Sequence, residues 1–168
     1  MKTLIPCFIL LFIAYIVQSS LLNVIAYQGI SVDLILLSTI YFSLLYDKYA
    51  ILYGFCAGLF YDLASDTFLG IHTLSLLIIC ILIRKVSQLI YKENIFLPLV
   101  AALVATFLNN FIIAFSIFLL GYHYNFWLMV NNTLLALIYN LIFAYPVYII
   151  VNKINNKLVY FIKRSEQF

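Results

Sequence analysis

The stretch from Gly54 to His72, GFCAGLFYDLASDTFLGIH, separates two almost purely apolar segments and holds the most informative residues of the chain. Gly54, Gly58 and Asp62 are spaced four apart, so a helix would place them on one face. GxxxG spacing lets a second helix backbone approach closely inside a membrane. Gly70 then breaks the pattern before the next apolar segment. We expect Gly54, Gly58, Asp62, Gly70 and His72 to form a helix contact or a partner interface.

The composition of the chain indicates whether it folds in water or in a lipid bilayer. Apolar residues make up 67% of its 168 residues, and charged residues only 9%. A soluble domain has about 25% charged residues, so this chain could not cover its surface with groups that suit water. No polar stretch is long enough for a soluble domain. We therefore predict an integral membrane protein that contacts the lipid bilayer and no nucleic acid.

Six apolar runs, each bounded by polar residues, predict six membrane-spanning helices. The second and third runs are shorter than the roughly 20 residues that cross a bilayer upright. They fit either two crossings joined by a tight turn or a re-entrant pair. We expect one all-α domain, residues 1–168, built as a six-transmembrane-helix bundle. The predicted spans are approximately residues 4–22, 34–46, 49–63, 68–83, 95–121 and 126–151.

The positions of the basic residues favour six crossings with both termini in the cytoplasm. In that topology all nine Lys and Arg residues lie on the cytoplasmic side, as the positive-inside rule requires. The three outer connections, residues 23–33, 64–67 and 122–125, contain no Lys or Arg. A re-entrant pair would instead place Lys48 near the membrane centre or on the outer side, which is costly.

Amide side chains inside the last two spans need partners, because an amide in hydrocarbon must be hydrogen-bonded. Asn109 and Asn110 lie near the middle of the fifth span. Asn132 and Asn140 lie in the sixth span, where they share a helix face with Ala136. These amides could join helices by hydrogen bonds or line a substrate pocket. We favour the first role, as intramembrane polar contacts between helices.

Two acids and two histidines near the predicted outer interface raise the question of a chemical site. Asp62, Asp66, His72 and His123 could in principle gather around a metal ion. No nucleophile arrangement and no phosphate-binding loop accompanies the acids. We expect the acids to cap helices and order the loop, and the histidines to be hydrogen-bonded. The sequence thus predicts no catalytic residues, no cofactor, no metal and no enzyme.

Four groups of residues along the chain form a pattern typical of one family. They are Gln18, Ser19, Ser20 and Leu21 at the end of the first span; Asp33 with Leu34 to Leu37; Gly54, Gly58, Asp62, Gly70 and His72; and Asn140 with Pro146. With these positions the whole chain resembles the bacterial family of the rod shape-determining protein MreD. The length and the six-span layout also fit that family. Val32 departs from the pattern, because the family often has proline before the acid.

The resemblance implies a non-catalytic scaffold in the bacterial inner membrane. Proteins similar to this one belong to the rod complex, or elongasome, and pair with the bitopic protein MreC. They lie near MreB, RodA and a class B penicillin-binding protein, and help to organise lateral peptidoglycan synthesis and cell shape. The family's fold looks like the substrate-binding component of energy-coupling-factor vitamin transporters. The alternative is therefore a small substrate-binding subunit of such a transporter, which would bind a small molecule at its outer face.

The predicted topology can be tested by labelling single cysteines in intact cells. Cysteines replacing Lys48 and Asp66, in a chain without its native thiols, should react from opposite sides of the membrane. The reason is that every Lys and Arg falls on one side only in the six-crossing arrangement. Equal labelling of both positions by an impermeant reagent from outside would overturn this topology.

Overall fold

The fold is all-helical, as seen in a computed structural model that describes residues 4–20, 24, 26–45, 49–65, 68–87, 96–122 and 125–165. The predicted all-α class with six helices is confirmed within these ranges. Membrane crossing and sidedness stay predictions, and Lys48, Asp66 and His123 lie outside the described residues. The helices are α1 (Leu4–Ser20), α2 (Leu34–Leu45), α3 (Ala50–Ala64), α4 (Ile71–Ser87), α5 (Leu97–Leu119) and α6 (Phe126–Ser165).

Helix α2 forms the centre of the bundle. Its residues 35–44 are all buried, and it contacts each of the other five helices. Its sequence, LILLSTIYFSLL, is apolar on nearly every side, which is the pattern of a helix surrounded by protein. The largest completely buried side chain of the described residues, Tyr41, also lies on α2. The core therefore sits around one short helix.

The serine and threonine hydroxyl groups of α2 are satisfied by the preceding turn of the helix or by a neighbouring side chain. Ser38 and Thr39 both donate to the carbonyl oxygen of Ile35, at 3.0 and 2.7 Å. Ser43 donates to the Thr39 carbonyl oxygen at 2.8 Å and lies 3.2 Å from Cys80 Sγ. Serine and threonine can use the preceding turn of a helix in this way. These bonds explain how polar residues occur in the most buried helix.

The two longest apolar helices carry their hydrophobic surface on the outside. By length and composition, Leu97–Leu119 and Phe126–Ile154 could each cross a membrane, yet only 28% and 17% of an 18-residue apolar stretch within them is buried. The core helix of a soluble protein would be mostly buried. Large side chains such as Phe107 and Phe111 are 56% and 51% exposed. Such a surface suits lipid and not water.

The helices differ most from the approximate spans at α4 and α6. Helix α4 begins at Ile71 because Gly70, with φ of +101°, adopts a conformation that favours glycine. Helix α6 continues to Ser165 and contains Pro146. Arg84 lies in the last turn of α4, where a positive charge suits the helix dipole.

A tight turn orders the connection that leads into α2. Tyr27 and Ile30 exchange two backbone hydrogen bonds of 3.1 and 2.9 Å. The two residues between them, Gln28 and Gly29, have φ of 53° and 78°, as a type I′ turn requires. The chain then reaches the beginning of α2 through residues 31–33.

Candidate functional site

The glycines of the GxxxG motif bring α3 against α4 of the same chain. A Cβ added to Gly58 would lie 2.3 Å from the Cα atom of Thr73 and 2.9 Å from its backbone nitrogen. A Cβ added to Gly54 would lie 2.3 Å from Cys80 Sγ. Real side chains do not approach so closely, so only glycine allows this separation of the two helices. The closest neighbour of the glycine stripe is thus internal.

Asp62 caps the beginning of α4 from the neighbouring helix. Its Oδ2 accepts hydrogen bonds from the backbone N–H groups of Gly70 and Thr73, at 2.9 and 3.0 Å, and from the Thr73 hydroxyl at 2.5 Å. Its Oδ1 accepts from the N–H of His72 at 2.9 Å. The first N–H groups of a helix have no partner within it, and a carboxylate there also complements the helix dipole. Asp62 is only 2% exposed, so the bonds are shielded from water.

His72 extends this arrangement towards α1. Its ring stacks on Tyr61, with ring centroids 4.3 Å apart and the planes 21° from parallel. The Tyr61 oxygen accepts a hydrogen bond of 3.1 Å from Gln18 Nε2. The buried Nδ1 atom of His72 has no hydrogen-bond partner among the described residues. His72, Tyr61 and Gln18 thus connect three helices near the ends of α1 and α3.

Three side chains cap the beginning of α2 in a second arrangement of the same kind. Asp33 Oδ1 accepts from the N–H of Leu36 at 2.9 Å. Gln18 Oε1 accepts from the N–H of Ile35 at 3.2 Å. Asn140 Oδ1 accepts from the N–H of Asp33 itself at 2.9 Å. Side chains from α1, from α6 and from the residue before α2 therefore satisfy the otherwise unpaired donors of the central helix.

The four amides singled out from the sequence have different surroundings. Asn140 Nδ2 donates to Thr106 Oγ1 at 3.0 Å, and Asn109 Oδ1 accepts from the Ser75 hydroxyl at 2.6 Å. These bonds join α6 to α5 and α5 to α4. Asn110 Nδ2 is buried and has no partner among the described residues. Asn132 lies beside Asn110 at a small cavity of about 50 Å³.

The α2 cap opens onto a larger cavity of about 200 Å³, which we call the polar cavity. Among the described residues that line it, Asp33 is the one carboxylate, and none is Lys, Arg or His. Burial raises the pKa of Asp33 from 3.8 to about 6, while the backbone N–H groups of Leu36 and Ile35 act in the opposite direction. The lining residues are Gln18, Gly29, Ile30, Ser31, Asp33, Leu36, Tyr61, Thr106, Asn109, Asn110, Ala136 and Asn140.

Sequence reasoning missed several residues of this site. Thr73 and Tyr61 were not singled out, although Thr73 stands three residues after Gly70, where a capping group is often found. Nothing local indicates Thr106 or Ser75, because their partners lie on other helices. For the metal hypothesis, the described residues hold no group of three or more His, Cys, Asp or Glu suited to an ion.

An all-α chain with exposed apolar helices and internally capped helix ends is a helical membrane protein. The sequence model of the family described as rod shape-determining protein MreD matches residues 1–158. The chain therefore belongs to the MreD family, whose members are structural proteins that determine rod shape. No curated protein and no solved structure matches the chain. The likeness to a transporter component thus stays a prediction.

Enlarging Gly58 should destabilise the isolated protein. Gly58→Leu places a side chain where the α4 backbone lies, and overpacking of this kind costs about 1–3 kcal/mol. Membrane insertion should be unaffected, because leucine is favourable in hydrocarbon. Thermal unfolding of the purified variant measures the loss.

The control for this variant is Leu63→Phe, which enlarges a side chain of α3 that is 74% exposed. It should leave the melting temperature unchanged. An unchanged melting temperature for Gly58→Leu as well would mean that the glycine contact is incidental to the fold.

Removing the Asp62 carboxylate should lower the free energy of unfolding more than removing an exposed helix cap does. Asp62→Leu leaves buried donors of α4 without an acceptor, which we expect to cost roughly 3 kcal/mol. Asp62→Asn keeps one acceptor oxygen and should lose less. Asn125→Ala removes the exposed 3.1 Å bond to the N–H of Trp127 and should cost about 1 kcal/mol or less. Comparable losses for Asp62→Leu and Asn125→Ala would contradict this ranking.

Proposed function

We propose that this chain is a non-catalytic membrane scaffold of the rod complex, or elongasome. In this role it pairs with a bitopic MreC-like protein and helps to organise lateral peptidoglycan synthesis. MreB, RodA and a class B penicillin-binding protein would then be indirect partners. The observation that carries the proposal is the MreD family match over residues 1–158.

The use of the buried polar groups supports a structural role. All four hydrogen bonds to the Asp62 carboxylate come from the start of α4. Asp33, Gln18 and Asn140 satisfy the start of α2. Groups that could do acid–base chemistry are thus engaged in holding helices together, as a rigid scaffold requires.

We propose further that the protein lies in the bacterial inner membrane with six crossings and both termini in the cytoplasm. The one-sided distribution of the nine Lys and Arg residues supports this orientation. Arg84 and Lys85 lie in the last turn of α4, which would then meet the cytoplasmic headgroups. Anionic lipids there would attract both side chains.

The exposed apolar helices give such a scaffold a surface for partners within the bilayer. Large hydrophobic side chains are exposed on α1, α3 and α5, for example Ile13 at 52%, Phe55 at 42% and Phe111 at 51%. Helix association in lipid depends on close packing and not on the exclusion of water. A partner helix therefore needs a matching surface, which a bulky substitution would disturb.

Loss of the protein should abolish rod shape in a rod-shaped host. We expect rounded cells after depletion, because lateral wall synthesis would lose its organisation. A tagged copy purified in mild detergent should retain an MreC-like protein, whereas a tagged unrelated membrane protein should not. Normal rods after complete loss, with no second MreD-like protein in the host, would refute the scaffold role.

Surface variants separate partner binding from folding. Ile13→Trp, Phe55→Trp and Phe111→Trp change three exposed faces and should leave the melting temperature of the isolated protein unchanged. At least one should lower recovery of the MreC-like protein, and the others serve as its matched controls. Full recovery with all three would place the partner away from these helix faces.

A further inference from the structure

The proposed scaffold function assigns no use to the polar cavity beside the α2 cap. Its volume of about 200 Å³ greatly exceeds the ~30 Å³ that one water molecule occupies in the liquid. It is smaller than the roughly 300–1,000 Å³ of sites for drug-sized ligands. Gly29, Ile30 and Ser31, from the ordered connection before α2, form part of its wall. A molecule the size of an amino acid would fit it.

One buried hydrogen-bond donor at the polar cavity is unused. Asn110 Nδ2 is buried and has no partner among the described residues. Asn109 and Tyr61 line the same cavity, and their oxygens accept from Ser75 and from Gln18. A buried donor without an acceptor is costly, so Asn110 suits a ligand that carries an acceptor atom.

The charge of the polar cavity restricts the ligand further. Asp33 contributes a carboxylate, and none of the described lining residues is Lys, Arg or His. A carboxylate without a cation beside it attracts a positive group, so such a group on the ligand would complete the site. A phosphate would meet the Asp33 charge with no cation to offset it. An inorganic cation would meet amide N–H groups, because the oxygens of Gln18 and Asn140 already accept from the backbone.

We propose that the polar cavity binds a small molecule that carries an ammonium group and a hydrogen-bond acceptor but no phosphate. The ammonium group pairs with the Asp33 carboxylate. The acceptor receives hydrogen bonds from the amides of Asn109 and Asn110. The proposal concerns binding by a membrane scaffold and involves no transport step.

Small amines provide the direct test. Ethanolamine, glycine and serine are added separately to the purified full-length protein, with acetate, ethylene glycol and inorganic phosphate as controls. At a concentration 100 times the dissociation constant, binding should raise the melting temperature by roughly 5 °C or more. We expect such a saturable rise with at least one amine and with none of the controls.

Two variants locate the binding. Asn110→Leu removes the unpartnered amide, so it should keep or raise the melting temperature without ligand while weakening amine binding at least tenfold. Asp33→Asn keeps an oxygen to accept from the N–H of Leu36 and should also weaken binding at least tenfold. Asn132→Leu makes the same change at the neighbouring small cavity and should bind as the unmodified protein does.

Three results would overturn the proposal. They are the absence of a shift with every amine, an equal shift with the amine-free controls, and unaltered binding by Asn110→Leu. None of them bears on rod shape, because the scaffold role is tested by depletion and partner recovery. Rounded cells after depletion combined with no amine binding would therefore reject the ligand and keep the scaffold.

Discussion

The fold depends on satisfying the backbone N–H groups at the beginnings of α2 and α4. The first N–H groups of a helix have no partner within it, and each one that is buried without an acceptor costs several kcal/mol. Asp62 serves α4, and Asp33, Gln18 and Asn140 serve α2. The caps fix where each helix begins and which neighbours it has.

The glycine stripe and the α4 cap form one structural unit. Asp62 reaches the backbone of α4 only if α3 lies very close to it. Gly58 allows that approach, since a Cβ there would lie 2.3 Å from the Cα atom of Thr73. Gly70 turns the chain so that the N–H groups of His72 and Thr73 face the carboxylate. A change at any of these positions therefore acts on the others through the separation of the two helices.

The sequence predicts the local features of this protein much better than its long-range contacts. Apolar runs and four-residue spacing are local signals, and they indicated six helices and a common face for Gly54, Gly58 and Asp62. The bond from the Asp33 N–H to Asn140 joins residues 107 positions apart, and that from Ile35 to Gln18 joins residues 17 apart. No repeating pattern in the sequence predicts such pairs, because they depend on how the helices pack.

The two caps differ in whether a cavity lies beside them. The Asp62 carboxylate is 2% exposed and accepts four hydrogen bonds, so the α4 cap is closed. The α2 cap uses side chains from α1 and α6 as well as Asp33. Gln18, Asp33 and Asn140 also line the polar cavity, so part of its wall is held by the same bonds that hold the central helix. A site built on such walls is rigid before anything binds, which lowers the entropy lost on binding. Asn110 makes none of those bonds, so a substitution there should change ligand binding without changing the stability of the fold.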